Sequence, residues 1–154
     1  MAEYIMLQGT SSHVGKSVLA AALCRIFLQE GKSVVPFKAQ NMALNSYVTA
    51  DGREMGRAQV AQAEAAGLEP AVDMNPVLLK PTGNSCSQVI IDGLSVGNMS
   101  AKEYHNGYAL EAFSAVQNAL SRLTKAYDTL VIEGAGSPAE VKFETIRYRK
   151  YARS

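Results

Sequence analysis

Apolar residues along this chain alternate between short continuous runs and stretches of helical spacing. Five runs read as strands: residues 4–8, 33–37, 77–79, 88–93 and 128–133. Between them, residues 16–30, 54–66 and 109–126 read as helices, with a shorter one over 100–106. In the first helix Leu19, Leu23, Ile26 and Phe27 fall on one face; in the last, Leu110, Phe113, Val116, Leu120 and Leu123 do. Gly31 and Gly67 close two of the helices. Pro36 predicts that its strand ends there or lies near a sheet edge. Strands alternating with helices predict an α/β fold with a mostly parallel sheet, its strands at 5–7, 77–79 and 130–132 buried on both faces. In such sheets ligands bind beyond the carboxyl ends of the strands. The loops after residues 8, 37 and 132 are therefore expected to share one edge.

Those loops hold the candidate chemistry. The segment Gly9-Thr10-Ser11-Ser12-His13-Val14-Gly15-Lys16-Ser17 lies between a strand and an apolar helix. That order suits a phosphate cradle: backbone N–H groups face the phosphates, Lys16 adds positive charge, and Ser17 offers a hydroxyl to Mg2+. Five residues separate Gly9 from Gly15 where the standard P-loop has four. A helix N-terminus capped by Ser11 or Ser12 is the bland alternative. Glu133 ends an apolar strand before Gly134-Ala135-Gly136, where a carboxylate reaches a nucleotide-bound Mg2+ or is simply solvated. Lys38 faces either phosphates or solvent. Asp51 and Glu54 bracket the predicted start of a helix, serving its dipole or acting as a further metal ligand. The amides of Gln40-Asn41-Met42-Ala43-Leu44-Asn45-Ser46 suit a polar substrate or a surface loop, and Lys80-Pro81-Thr82 is equally ambiguous. His13 and His105 are isolated and read as neither acid nor base.

The 154 residues suffice for one domain with a core, and 47% hydrophobic with 19% charged residues is ordinary for a globular protein. A net charge of +1 points to no nucleic-acid or membrane partner. The balance is uneven: residues 142–154 hold five Lys/Arg against Glu144, net +4, leaving net −3 on residues 1–141. Cys24 reads as a core residue and Cys86 as a loop residue, with no disulfide or metal pattern. No run suits a membrane span and no secretory signal is evident, so a cytoplasmic protein is expected.

Several ordered blocks together resemble the N-terminal domain of cobyric acid synthases. They are Leu7-Gln8-Gly9-Thr10-Ser11-Ser12, Gly15-Lys16-Ser17, Gln40 to Ser46, Gly56-Arg57-Ala58-Gln59, Asp73-Met74-Asn75-Pro76-Val77-Leu78-Leu79-Lys80-Pro81, and Val131 to Glu140. The resemblance implies a three-layer P-loop NTPase-like domain of the dethiobiotin-synthetase type, in which the longer loop spacing is usual. It implies ATP and Mg2+ as cofactors and a corrinoid substrate. In that chemistry ATP activates a side-chain carboxylate of adenosylcobyrinic acid a,c-diamide as an acyl phosphate, and ammonia from glutamine converts it to an amide. Carried over by position, Thr10 to Ser17 hold the nucleotide, and Lys16 and Lys38 serve the phosphates. Ser17, Glu54 and Glu133 surround Mg2+, while Gln40, Asn41 and Asn45 face the substrate.

The resemblance fades after Val141. Residues 1–141 are expected to form a partial ATP-binding amidoligase domain, incomplete at its C-terminus, and 142–154 a basic tail outside the family pattern. A glutaminase domain, the source of ammonia in the family, is expected to be absent, leaving the chain without glutamine-dependent amidation. Missing strands beside Leu130-Val131-Ile132 would expose a hydrophobic edge and favour homo-oligomers. A nucleotide-binding or assembly module without catalysis, or a remnant that has lost activity, fits the same residues.

Overall fold

The computed structural model describes residues 2–9, 14–83 and 85–134. Thr10, Ser11, Ser12 and His13 of the predicted phosphate loop lie outside the described residues. So do Ala135 to Glu140 and the basic tail at 142–154.

Three parallel strands form the first sheet, in the order β1 (Glu3–Leu7), β9 (Thr129–Glu133), β2 (Val34–Phe37). Helix α1 (Lys16–Gln29) covers one face, where Ala20 and Cys24 meet Val34 and Val131. Helix α4 (Ala109–Ala126) covers the other, where Ala119 and Leu123 join Val35 and Leu130. These are the expected three layers. Burial pushes the Cys24 thiol up to about 12, which keeps it an inert core group. Pro36 lies on β2, an edge strand, where its missing N–H breaks no ladder.

β9 is not the exposed edge the sequence suggested. It pairs with β1 on one side and β2 on the other. The helix stripes are partly as predicted: Leu23 and Phe27 of α1 and Val116, Leu120 and Leu123 of α4 pack on the core, but their other members do not. Small side chains face inward because they allow close approach to the sheet, leaving Leu19 at 56%, Leu110 at 77% and Phe113 at 49% exposure. β1 is not buried on both faces either, since Tyr4 and Met6 are exposed.

Residues 77–79 leave the parallel sheet altogether. They open β6 (Val77–Gly83) in a second sheet ordered β3 (Gln40–Met42), β6, β7 (Cys86–Ile91), β8 (Leu94–Ser100). Only β3 and β6 are parallel there; β6, β7 and β8 are antiparallel. Cys86 begins a strand rather than sitting in a loop. Asp92 and Gly93, with φ of 47° and 76°, make the two-residue turn that returns the chain as β8. The composition of β8 (Ser, Gly, Asn) hides it from a hydrophobic pattern. The predicted helix at 100–106 is α3 (Ala101–Glu103), capped by Ser100 and continuing into a π-turn at Tyr104–Tyr108.

The predicted helix at 54–66 begins later. Glu54 to Gly56 form β5 (Glu54–Gly56), paired antiparallel with β4 (Ser46–Val48), a strand the apolar pattern does not mark. Helix α2 (Arg57–Ala65) follows, with no acid in its first turn. Asp51 and Glu54 therefore do not serve its dipole. Asp51 instead accepts from Thr49 in the β4–β5 turn and pairs with Arg53.

Candidate functional site

Parallel pairing places the ends of all three strands at one edge: Leu7 lies opposite Glu133, and Phe37 opposite Ile132. The chain turns into α1 through Gly15, whose φ of 91° suits glycine. Lys16 folds back over Gly9. A Cβ on Gly9 would lie 2.7 Å from both Lys16 Nζ and Val14 Cγ2, so a larger residue would push these side-chain ends away.

Glu133 is the hub. It is 3% exposed. Its Oε1 accepts from Ser17 Oγ at 2.9 Å and Lys38 Nζ at 2.7 Å. Its Oε2 accepts from Gln62 Nε2 at 2.7 Å and, at longer range, from Gln59 Nε2 at 3.4 Å. Burial alone would push the Glu133 carboxyl up. Hydrogen bonds from Lys38 and Gln62, the Lys38 charge and the Ser17 hydroxyl outweigh it and hold the group below the usual carboxylate range.

The network extends inward. Asn41, 6% exposed, donates to Gln59 Oε1 at 2.9 Å. Asn75, 1% exposed, accepts from the Gly56 N–H at 2.9 Å. It donates to the carbonyls of Lys38 at 3.1 Å and Val77 at 3.0 Å. One side chain thus joins the end of β2, the start of α2 and the start of β6. Gly56 is required for this closeness, because an added Cβ would lie 2.5 Å from Asn41 Nδ2 and 2.7 Å from Gln59 Oε1.

Glu54 belongs to a separate cluster. It accepts from the Ser46 hydroxyl and from Lys80 Nζ, the latter at 2.6 Å. Burial pushes its carboxyl up, but the bonds from Lys80 and Ser46 and the Lys80 charge hold it below the usual range. Gln40 Oε1 accepts from Tyr104 Oη at 3.0 Å. Asn45 is exposed, and its carbonyl accepts from the Arg57 N–H at 3.3 Å.

Of the residues singled out from sequence, the fold thus unites Ser17, Lys38 and Glu133. It turns Asn41 inward to the same network and gives Glu54 to Lys80. Gln59 and Gln62 were missed as functional groups. Their signal is two uncharged amides at i, i+3 on an otherwise Ala-rich helix. Asn75 was marked only as part of a sequence block. Among the described residues no three His, Cys, Asp or Glu side chains converge. Ser17 and Glu133 nonetheless supply hard oxygens 2.9 Å apart, a donor set that fits Mg2+ shared with phosphate oxygens. Among the described residues no helix is long and apolar enough to cross a membrane.

The family described as "CobQ/CobB/MinD/ParA nucleotide binding domain" matches residues 5–143. Over 144 residues the chain is 67% identical to a cobyric acid synthase of Pelotomaculum thermopropionicum, covering 94% of this chain and 27% of that protein. It is 63% identical over 140 residues to one from Desulfitobacterium hafniense, covering 91% and 27%. A third, from Moorella thermoacetica, is 60% identical over 144 residues, covering 94% and 28%. The chain therefore spans little more than a quarter of the length of these relatives.

Proposed function

The chain belongs to the CobQ/CobB/MinD/ParA nucleotide-binding domain family, and on that premise we propose that it binds ATP with Mg2+ for the activation of a corrinoid side-chain carboxylate, as its similarity to cobyric acid synthases suggests. The observation that carries this reading is the convergence of Ser17, Lys38 and Glu133 at the carboxyl edge of the parallel sheet, where Gly15 leads into α1.

Ser17 Oγ and Glu133 Oε1 would hold the metal, which when bound screens phosphate charge and orients the outer phosphates. Lys38, which donates to Glu133 Oε1, would turn its ammonium to a phosphate oxygen when nucleotide binds. Lys16, lying over Gly9, supplies a second ammonium at the same edge. The two lysines offset negative charge as an oxygen of the substrate carboxylate bonds to the γ-phosphorus and the bond to ADP breaks. Ammonia then attacks the acyl carbon, phosphate leaves, and an amide results. Asn45, exposed beside the start of α2, and Gln40, held by Tyr104, are the polar groups we assign to the substrate side. Asn41 is buried and bonded to Gln59, which faces Glu133, so it serves the metal side rather than the substrate side. The half-buried Glu54–Lys80–Ser46 cluster is a second polar group, which we place outside the Ser17–Glu133 metal site because its hydrogen bonds are its own.

The test is titration of the chain with a fluorescent ATP analogue, with and without Mg2+. Saturable, Mg2+-strengthened binding that Lys16→Ala weakens at least tenfold supports the reading. No binding by the parent chain overturns it. Supplying ATP, free ammonia and adenosylcobyrinic acid a,c-diamide then separates an amidating chain from one that only binds nucleotide.

A further inference from the structure

We infer that Gln62 is a positioning residue: it holds Glu133 Oε2 from the α2 side, so that Oε1 stays turned toward Ser17, Lys38 and the metal of a bound nucleotide. The inference deepens the proposed function and rests on it for the metal alone.

Gln62 is 0% exposed. Its amide nitrogen donates to Glu133 Oε2 at 2.7 Å and to the Ser17 carbonyl at 3.3 Å. Both partners are acceptors only, so the nitrogen end of the amide must face them. The consequence falls on the other end. Gln62 Oε1 is buried and has no hydrogen-bond partner among the described residues. A buried acceptor left unsatisfied destabilises a fold, and an apolar side chain of equal length would avoid that penalty. Packing alone therefore does not account for a glutamine here. What the amide does provide is a fixed carboxylate. The terminal torsion of a glutamate is broad, so with Oε2 unheld the carboxylate plane would rotate and carry both oxygens out of line with Ser17 and Lys38. Gln62 removes that freedom and ties the backbone of Ser17 to the same support. Gln59 backs it at 3.4 Å and is itself held by Asn41.

The test compares the parent chain with Gln62→Met, which keeps length but not hydrogen bonds. Three quantities are read: the thermal midpoint, the Mg2+ concentration that half-saturates binding of the fluorescent ATP analogue, and the NMR signal of the Lys38 ammonium, assigned by its loss in Lys38→Met. The expected result is a lower midpoint, because Glu133 Oε2 loses its 2.7 Å donor, about a tenfold higher Mg2+ requirement, and loss of the protected Lys38 signal. A Mg2+ requirement within twofold of the parent, or an unchanged Lys38 signal, overturns the inference. If the parent binds no nucleotide, the proposed function fails, and the Lys38 signal alone decides this one. If Gln62→Met does not fold, the Gln62 side-chain amide protons of the parent decide instead. They should exchange slowly and be released in Glu133→Gln; rapid exchange in the parent overturns the inference.

Discussion

Glu133 and Glu54 each meet a lysine, at 2.7 Å and 2.6 Å, and each accepts a serine hydroxyl. Their surroundings differ. The Glu133 side chain is 2% exposed and the Glu54 side chain 23%. Glu133 also receives glutamine amides on its second oxygen, whereas Glu54 accepts from Lys80 and Ser46. The first pair is thus a preorganised group with one oxygen held and the other presented. The second is a partly solvated pair whose members are free to re-pair. Identical side-chain chemistry therefore yields a site in one place and an adaptable surface in the other, and burial with amide support makes the difference.

The largest expected effect tests that burial. Lys38→Met leaves the Glu133 carboxylate buried without its counter-charge and should lower stability in urea unfolding by about 3–5 kcal/mol. Lys80→Met should lower it by about 1 kcal/mol or less. Equal losses would break the comparison. Next in size is ligand binding: Glu133→Gln should weaken Mg2+-dependent binding of the ATP analogue by about 10- to 100-fold, and Glu54→Gln by less than about threefold. A larger loss in Glu54→Gln would return Glu54 to the metal site. Gly56→Ala presses on Asn41, Gln59 and Asn75 while leaving Glu54–Lys80 in place. Chemical unfolding should show a loss of about 1–3 kcal/mol, and none would mean the network is looser than its distances imply.

The smallest effect is the acid dependence of stability. Both carboxyl groups are held below their ordinary range when folded. Each therefore contributes stability that is fully present above the unfolded value and is lost as pH falls through the lower folded one. Thermal midpoints recorded from neutral to acid pH should fall more gently in Glu133→Gln than in the parent. Glu54→Gln should change the slope less. The reverse order would reverse the ranking of the two pairs.

Much of the site was legible in the chain because its parts sit at element boundaries. Gly9, Gly15, Lys16 and Ser17 mark a strand, a turn and a helix start, and Glu133 ends an apolar strand. Lys38, at the end of β2, was visible as a position but not as a partner. Gln59 and Gln62 were not legible, because an amide on an Ala-rich helix shows nothing of the carboxylate it faces. The same limit blurred the centre of the inward faces of α1 and α4, although Leu23, Phe27, Val116, Leu120 and Leu123 do pack on the core. Periodicity marked Leu19 and Leu110, but close packing favoured Ala20 and Ala112 on the inward faces. Val77 to Leu79 matched a parallel strand by apolarity alone, which does not distinguish one buried sheet from another.

Alone, the sequence determined local geometry and chemical inventory: the α/β alternation, the glycines that allow the loop, and the lysines, serine and carboxylates available to phosphate and metal. Backbone conformation and hydrophobic pattern depend mainly on neighbours along the chain, so they can be read from it. Only the tertiary structure decided that Glu133 rather than Glu54 joins Ser17 and Lys38, and that Gln62 faces Glu133. Those choices depend on contacts across many residues of chain, Ser17 to Glu133 and Lys38 to Glu133 among them. They are made where parallel pairing brings three strand ends to one buried edge, and where removal from water makes each carboxylate's partners decisive.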